Sequence, residues 1–244
     1  MKYTICITMG DPSGIGSEIA VKALQNRSIY DRCVPVVVGD KEAMLDAIRF
    51  TNAGLKLNCI KTPEEAKGEY GTIDCVDLGL LAPGSWEYKK AQKLCGETSF
   101  QYSVKAIEFE KEGKAHAVVT GPINKEAINM AGHHFSGHTE IFAHYTNTKD
   151  FGMMLTSPSL RVIHVTTHVS MRDACDIIRK NPARVESAIE LAKEGMRLLG
   201  VNDPRIAVAG LNAHCSENGL FGDEEALSIA PAIEKCRAKG INVD

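Results

Sequence analysis

Short apolar runs alternate with amphipathic stretches along most of this chain. Apolar runs typical of buried strands occupy residues 3–8, 34–38, 55–60, 72–78 and 117–120. Apolar positions at helical spacing occupy residues 18–26, 41–51 and 87–114, and Gly96 is a candidate break in the last of these. This alternation of strands and helices predicts an α/β protein with three layers, α/β/α.

The second half of the chain continues the pattern with shorter strands. Helices are predicted at residues 125–130, from 138 onward, and at 171–179, 182–199 and 223–239. Strand-like runs are predicted at residues 151–156, 160–167, 205–209 and 241–244. Turn-forming residues separate the first two of these runs, which predicts a hairpin. Residues 1–244 are interpreted as one α/β chain, in which no linker marks a boundary between subdomains.

Two loops follow predicted strands at what would be the carboxyl edge of a sheet. Residues 10–18, GDPSGIGSE, follow the first strand, and Gly121 and Pro122 end the run at residues 117–120. Ligands of open α/β sheets bind at this edge. The glycine spacing G-x-x-x-G-x-G matches neither the dinucleotide fingerprint nor a Walker A motif. Two interpretations of the first loop stay open: a structural tight turn, or a ligand-facing loop that presents backbone N–H groups to an anion.

Composition limits which partners the protein is expected to bind and in which compartment it is expected to lie. The apolar content of 44% and the charged content of 24% are ordinary for a globular protein. A net charge of −3 gives no basic field for nucleic acid or an anionic membrane, and the chain has no apolar run long enough to span one. The eight cysteines are scattered without a C-x-x-C pair, and the N-terminus enters a strand pattern directly. We therefore expect a cytoplasmic protein with reduced thiols.

Two histidines follow predicted strands that are far apart in the sequence. His168 follows the run at residues 160–167, and His214 follows the run at residues 205–209. Imidazoles at separate strand ends can converge on one metal ion. No H-x-x-x-H or H-E-x-x-H spacing supports this locally, so two loop histidines bonded to backbone remain the simpler interpretation.

Other polar residues have a structural interpretation beside a functional one. His138 and Thr139 lie at a predicted helix N-terminus, where they could bind a carboxylate or a phosphate, or act as a solvent-facing residue and an N-cap. Lys125 is a candidate phosphate partner or proton-transfer residue, or a solvated lysine. Glu224 and Glu225 precede a predicted helix, where acidic side chains compensate the helix dipole.

Five segments in combination resemble one enzyme family from end to end of the chain. They are GDPSGIGSE at 10–18, TGPINKEAIN at 120–129, FSGHTEIF at 135–142, VTTHVSMRD at 165–173 and GLNAHCSENGLFGDEE at 210–225. Together they resemble the 4-hydroxythreonine-4-phosphate dehydrogenase family. The resemblance implies a fold like that of the isocitrate and isopropylmalate dehydrogenases, with two α/β subdomains and a cleft between them. It also implies a homodimer with active sites shared across the interface.

The resemblance further implies the chemistry. Family members use NAD or NADP and a divalent metal to oxidise a 4-phosphorylated hydroxy acid, which then loses CO2. Position by position, His168 and His214 become metal ligands, and His138 and Thr139 become substrate-binding residues. Imidazole ligands suit Zn2+, while Mg2+, Mn2+ and Co2+ are alternatives. No catalytic or cofactor-binding residue follows from the matched segments.

The substrate predicted first is 4-phosphooxy-L-threonine, oxidised and decarboxylated with NAD in pyridoxal phosphate biosynthesis. Asn124 stands where many family members have a histidine, which keeps 4-phospho-D-threonate and 4-phospho-D-erythronate as alternatives that give dihydroxyacetone phosphate. The family pattern continues past the position that matches Asp244 with a third metal histidine, an aspartate, a lysine, an asparagine and an arginine. A partial copy of the family that binds or assembles without catalysis is the remaining alternative.

Overall fold

A computed structural model describes residues 2–244 of the chain. The chain forms two compact units, Met1–Thr148 and Lys149–Asp244. Each unit has its own sheet and its own hydrophobic core. Over residues 2–244, no helix combines the length and the apolar character that crossing a bilayer requires.

A parallel five-stranded sheet is the centre of the first unit. Its strands are β1 (Tyr3–Thr8), β2 (Cys33–Gly39), β3 (Lys56–Ile60), β4 (Thr72–Asp77) and β5 (Ala117–Thr120). Their order across the sheet is β3-β4-β2-β1-β5, and every neighbouring pair is parallel. The three valines at residues 36–38 of β2 are fully buried, as expected where helices cover both faces of a parallel sheet.

Helices of the first unit cover both faces of the sheet. They are α1 (Gly16–Leu24), α2 (Arg27–Arg32), α3 (Lys41–Thr51), α4 (Lys93–Lys111), α5 (Lys125–Met130) and α6 (His138–Thr146). α1 packs on α3, whereas α4 packs on α5 and α6. Right-handed crossovers that run in opposite directions along a sheet place their helices on opposite faces. The predicted three-layer α/β fold class is confirmed.

Cap residues explain where several of these helices begin and end. The Asn26 side chain accepts the backbone N–H of Ser28 over 3.0 Å at the start of α2. The Asn124 side chain accepts the N–H of Ala127 over 3.1 Å at the start of α5. α3 ends at Asn52, which has the left-handed backbone (φ 52°) typical of a helix C-terminus.

The long helix predicted at residues 87–114 is shorter and unbroken. Residues 87–92 are not helical, and α4 continues through Gly96 without interruption. A Cβ atom at Gly96 would lie 1.9 Å from the carbonyl oxygen of Ala127 in α5. The expected break was therefore wrong, because this glycine allows two helices to approach closely rather than ending one.

The second unit combines a short hairpin with helices. β6 (Met154–Thr156) and β7 (Arg161–Ile163) pair antiparallel, which confirms the predicted hairpin with shorter strands. The helices are α7 (Met171–Lys180), α8 (Ala183–Leu198) and α9 (Ala230–Ala238), and a π-helical turn, Glu225–Ile229, leads directly into α9.

The strands predicted at residues 205–209 and 241–244 lie side by side and share three backbone hydrogen bonds, but they are too short to form a regular ladder. In the described chain these segments form one isolated parallel bridge, between Ile206 and Val243. The local apolar pattern is present, and Ile206 and Val208 pack against the core of the unit. A strand also needs a neighbour that pairs over several consecutive residues, which a local pattern does not specify.

Candidate functional site

The carboxyl ends of β1 and β5 meet where the strand order of the first sheet reverses. From β1 the chain crosses to β2 on one side, whereas the crossover from β4 brings β5 to the other side of β1. Such topological switch points are the usual ligand sites of open α/β sheets. The loops that leave these two strands, residues 9–15 and 121–124, are called the switch-point loops below.

The switch-point loops touch each other and the strand ends through backbone atoms. The N–H of Asp11 donates to the carbonyl of Pro122 over 2.8 Å. The N–H of Gly121 donates to the carbonyl of Thr8 over 3.0 Å. A Cβ atom on Gly10 would lie 2.4 Å from the Pro122 carbonyl oxygen, and one on Gly121 would lie 2.4 Å from that of Thr8. Both positions therefore require glycine for the loops to approach this closely.

A cavity of about 670 Å3 lies between the switch-point loops and residues 89–91. Its polar lining includes Asp11, Ser13, Lys89, Asn124, Lys125 and Glu126. The volume is typical of a small-molecule pocket. The loop at residues 10–18 thus combines the tight turn expected on one interpretation with the cavity-facing position expected on the other.

Asp11 is a buried carboxylate in the wall of this cavity. The residue is 4% exposed, and its Oδ1 accepts the N–H of Ser13 over 2.7 Å. Burial raises the pKa of Asp11, and the hydrogen bonds from Ser13 oppose that rise. No cationic side chain of residues 2–244 forms an ion pair with it. The sequence drew attention to this loop, but nothing in its pattern signalled that the aspartate is buried.

His138 and Thr139 begin α6, as predicted, and follow an extended Gly137. Both side chains are partly buried. The Nε2 atom of His138 is enclosed and makes no hydrogen bond with residues 2–244. Burial lowers the pKa of His138, so the imidazole is neutral near pH 7. An unused ring nitrogen beside a hydroxyl, at the N-terminus of a nine-residue helix, suits a carboxylate or a phosphate.

His168 and His214 lie on separate loops of the second unit. His168 lies between β7 and α7, is exposed and has a left-handed backbone (φ 58°). His214 is also exposed. The segments that carry them leave a shared core, because Val165 and Leu211 both pack against its buried residues. No hydrogen bond or ring contact joins the two imidazoles among the described residues, so their convergence on one metal ion stays a prediction.

The loop at residues 210–218, called the histidine loop below, has an unusual backbone. Four consecutive residues, 215–218, have φ between 39° and 63°, a region that residues other than glycine rarely adopt. The Asn212 side chain accepts the N–H of His214 over 2.9 Å. The His214 ring lies 5.4 Å from that of Phe221, between centroids. These contacts fix the loop around the histidine.

Glu225 ties the two ends of the histidine loop together. Its Oε1 accepts the N–H of Leu211 over 2.9 Å, and its Oε2 accepts the hydroxyl of Ser216. The Ser216 hydrogen bond is the main reason that the pKa of Glu225 is lowered. Glu225 lies in the first turn of a helical segment, as dipole compensation requires, and it also binds the histidine loop, which the sequence did not indicate.

The donor chemistry of His168 and His214 suits a borderline divalent ion such as zinc. Residues 2–244 hold no group of three or more His, Cys, Asp or Glu side chains arranged to bind a metal ion. The two imidazoles therefore fit a metal by type, while a closed site requires further donors.

A parallel sheet with a glycine-rich loop and a cavity at its switch point defines an α/β enzyme that binds a small ligand at the carboxyl edge of the sheet. Within that class, the chain belongs to the PdxA family: the family model described as pyridoxal phosphate biosynthetic protein PdxA matches residues 31–244. The resemblance predicted from the sequence is confirmed.

Individual relatives support the same assignment. The chain is 45% identical over 242 residues to D-threonate 4-phosphate dehydrogenase of Cupriavidus necator. This match covers 98% of the chain and 72% of the relative. It is 40% identical to the crystal structure of 4-hydroxythreonine-4-phosphate dehydrogenase from Klebsiella pneumoniae, with a TM-score of 0.91. The corresponding structure from Burkholderia phymatum is 40% identical, with a TM-score of 0.86. Both structural matches cover 100% of this chain and 73% of the solved chain. The chain is an oxidoreductase of this dehydrogenase family.

Proposed function

We propose that this protein is a nicotinamide-dependent dehydrogenase that oxidises a four-carbon hydroxy acid phosphorylated at carbon 4 and releases CO2. The observation that carries the proposal is the 45% identity, over 98% of the chain, to a D-threonate 4-phosphate dehydrogenase. D-threonate 4-phosphate is accordingly the first candidate substrate. This order reverses the one predicted from the sequence, in which 4-phosphooxy-L-threonine came first.

The second candidate substrate, 4-hydroxythreonine 4-phosphate, is supported by the two solved structures at 40% identity. Both candidates undergo the same reaction. When bound, a nicotinamide cofactor would serve as the two-electron oxidant and accept a hydride from the carbon that carries the 3-hydroxyl, and the hydroxyl proton would leave to water. The β-keto acid then loses CO2 as the bond between carbons 1 and 2 breaks, and a proton from water takes its place on carbon 2.

His138 and Thr139 are the proposed substrate-binding residues. The unused, enclosed Nε2 of His138 supports this role, since a buried imidazole nitrogen without a partner gains a hydrogen bond when a ligand arrives. Burial lowers the pKa of His138, and the neutral ring in its Nε2–H tautomer donates from this nitrogen to a phosphate or carboxylate oxygen.

His168 and His214 are the proposed metal ligands of this chain, with Zn2+, Mg2+, Mn2+ or Co2+ as the ion. Their support is the imidazole donor type and the shared core from which their loops leave. When bound, a divalent ion would stabilise the negative charge that develops on the substrate oxygens during oxidation and CO2 loss. NAD or NADP is the proposed oxidant. A homodimer with shared active sites and a cytoplasmic location complete the proposal, and the free thiols of the described cysteines support the location.

The proposal is tested by following reduced cofactor at its near-ultraviolet absorbance. The full-length protein is assayed with each phosphate ester, with NAD and with NADP, before and after treatment with a chelator. We expect turnover with D-threonate 4-phosphate to exceed that with 4-hydroxythreonine 4-phosphate, and chelation to abolish both. Faster turnover of the second ester would exchange the two candidates, and no turnover of either would reject the function.

The residue roles are tested in the same assay. His168→Ala and His214→Ala should each remove metal binding and activity together, measured by titration with Co2+ and by turnover. His134→Ala, which removes an exposed histidine of the first unit, is the matched control. Unchanged Co2+ affinity in both variants would contradict the assigned ligands.

A further inference from the structure

Three buried aspartates of the first unit differ in the hydrogen bonds that their carboxylates accept. Asp40 and Asp74 accept hydrogen bonds on both oxygens, at 2.6 to 3.0 Å. Asp11 is also buried, but Ser13 alone donates to it, and the Ser13 N–H lies 2.7 Å from Oδ1. Apart from Ser13, no donor of residues 2–244 reaches either oxygen of this carboxylate. One acceptor of Asp11 is therefore available in the wall of the switch-point cavity.

The backbone keeps this acceptor in place. The Asp11 N–H donates to Pro122 over 2.8 Å, and the Asp11 carbonyl accepts the N–H of Gly14 over 3.0 Å. The Oδ2 atom is not among the enclosed side-chain atoms that lack a partner, so it is open to the cavity that Asp11 lines. Because the backbone bonds hold the carboxylate at the cavity wall, an N–H or O–H group of a ligand in the cavity can donate to it.

Two lysines on the same cavity wall have no acidic partner. Lys89 and Lys125 line the cavity and form no ion pair within residues 2–244, whereas Lys90 pairs with Glu87. Lys89 is tied to the Asp11 loop, because its N–H donates to the Ser13 carbonyl over 2.9 Å. The two ammonium groups supply positive charge for phosphate oxygens.

The cavity thus joins one hydrogen-bond acceptor to two cations, which fits a phosphate-bearing ligand that also carries N–H or O–H donors. A volume of about 670 Å3 exceeds what a four-carbon ester needs and suits a nucleotide. We infer that Asp11 is a cofactor-binding residue, and that the switch-point cavity takes the nicotinamide half of the dinucleotide. Asp11 accepts a hydrogen bond from the carboxamide or ribose hydroxyl groups of that half. The inference rests on the proposed function, because it assigns a site to the proposed oxidant.

Asp11→Asn isolates this role. Asparagine keeps an oxygen for the Ser13 N–H and places an amide N–H2 where Oδ2 was, so that it opposes a donor of the ligand. In a fluorescence titration we expect the dissociation constant for NADH or NADPH to rise at least about tenfold. The melting temperature should not fall, because the variant removes a buried charge. Asp31→Asn, on the exposed surface of α2, removes the same charge and should leave binding unchanged.

Titrations with the two halves of NAD, nicotinamide mononucleotide and AMP, show which half of the cofactor Asp11 contacts. Asp11→Asn should weaken binding of nicotinamide mononucleotide at least about tenfold and leave binding of AMP unchanged. Loss of AMP binding instead, or unchanged NADH binding, would overturn the inference. So would a selective loss of D-threonate 4-phosphate binding, which would assign the cavity to the substrate. If the wild-type protein binds neither NADH nor NADPH, the proposed function itself is rejected. If wild type and Asp11→Asn bind NADH equally well, only the role of Asp11 is rejected.

Discussion

The switch-point loops of the first unit and the histidine loop of the second both carry candidate ligand-binding groups, but different interactions hold them in place. In the first, backbone atoms contact each other directly, and the Asp11 N–H lies 2.8 Å from the Pro122 carbonyl oxygen. Gly10 makes that approach possible, because a Cβ atom there would lie 2.4 Å from the same oxygen, and Gly121 allows the matching approach to Thr8. In the second, four consecutive residues have left-handed φ values, and the carboxylate of Glu225 binds both ends of the loop.

Because of this difference, the two sites should be sensitive to opposite kinds of substitution. A site fixed by close backbone packing is sensitive to added volume, because the neighbouring main chain has no room to move. A loop with an unfavourable backbone depends on the hydrogen bonds that offset its strain, so it is sensitive to removal of one acceptor. Each sensitivity can be measured separately.

The largest expected effect is steric. Gly121→Ala would place a Cβ atom 2.4 Å from the Thr8 carbonyl oxygen and 2.8 Å from that of Met9. Because Thr8 is paired in register with β5, the strand cannot move aside without losing its ladder. We expect the free energy of unfolding to fall by about 3 kcal/mol, measured by urea denaturation. At Gly137 the same substitution meets only a side-chain atom at 3.6 Å, and equal losses in the two variants would contradict the steric account.

The next effect concerns the histidine loop. Glu225→Ala removes the acceptor for the Leu211 N–H and the Ser216 hydroxyl. If His214 ligates the metal as proposed, its loop loses support, and Co2+ affinity should fall by about 10- to 100-fold. Titration of the Co2+ absorption bands measures this, with circular dichroism to check the fold. Glu224→Ala is the matched control, and Glu225→Gln should give an intermediate affinity. Equal Co2+ affinity in the two alanine variants would remove the positioning role.

A smaller effect, of opposite sign, concerns the stability cost of Asp11. Burial raises the pKa of this carboxyl above its ordinary value of 3.8, so its ionisation opposes folding as the pH rises through the folded-state pKa. Asp11→Asn should therefore stabilise the protein by about 1 kcal/mol near pH 7. The gain should disappear below the ordinary pKa, where wild-type Asp11 is protonated in both states. Urea denaturation at a series of pH values measures it, and a loss of stability near pH 7 would show that the carboxylate has a structural partner.

The contrast between the two loops also explains what the sequence could predict. The predicted helices at residues 41–51 and 125–130 coincide with α3 and α5, because their amphipathic patterns and end signals are local. Apolar runs followed by glycine likewise placed both switch-point loops at one edge of the sheet. These features depend on neighbouring residues in the chain, which a sequence displays directly.

Features that depend on distant residues were missed. Glu225 bonds to Leu211 and Ser216 only after the histidine loop has folded back onto it, and its position before a helix suggested a simpler role. The pattern at residues 205–209 has strand propensity but finds only one bridged partner. The burial of Asp11 results from the approach of a loop more than one hundred residues later in the chain, so no local signal could reveal it.

The smallest expected effect concerns His138. This residue begins α6 and so belongs neither to the switch-point loops nor to the histidine loop. Burial lowers its pKa below the ordinary value of 6.5, so the unfolded chain takes up a proton at pH values where the folded protein does not. Stability should fall as the pH drops below about 6.5, and His138→Gln should flatten this slope by less than about 1 kcal/mol. Urea denaturation between about pH 8 and pH 5 measures the slope, with the exposed His134→Gln as control. Parallel curves for wild type and His138→Gln would mean that the ring is hydrated in solution, and the unused Nε2 would then no longer support a substrate-binding role.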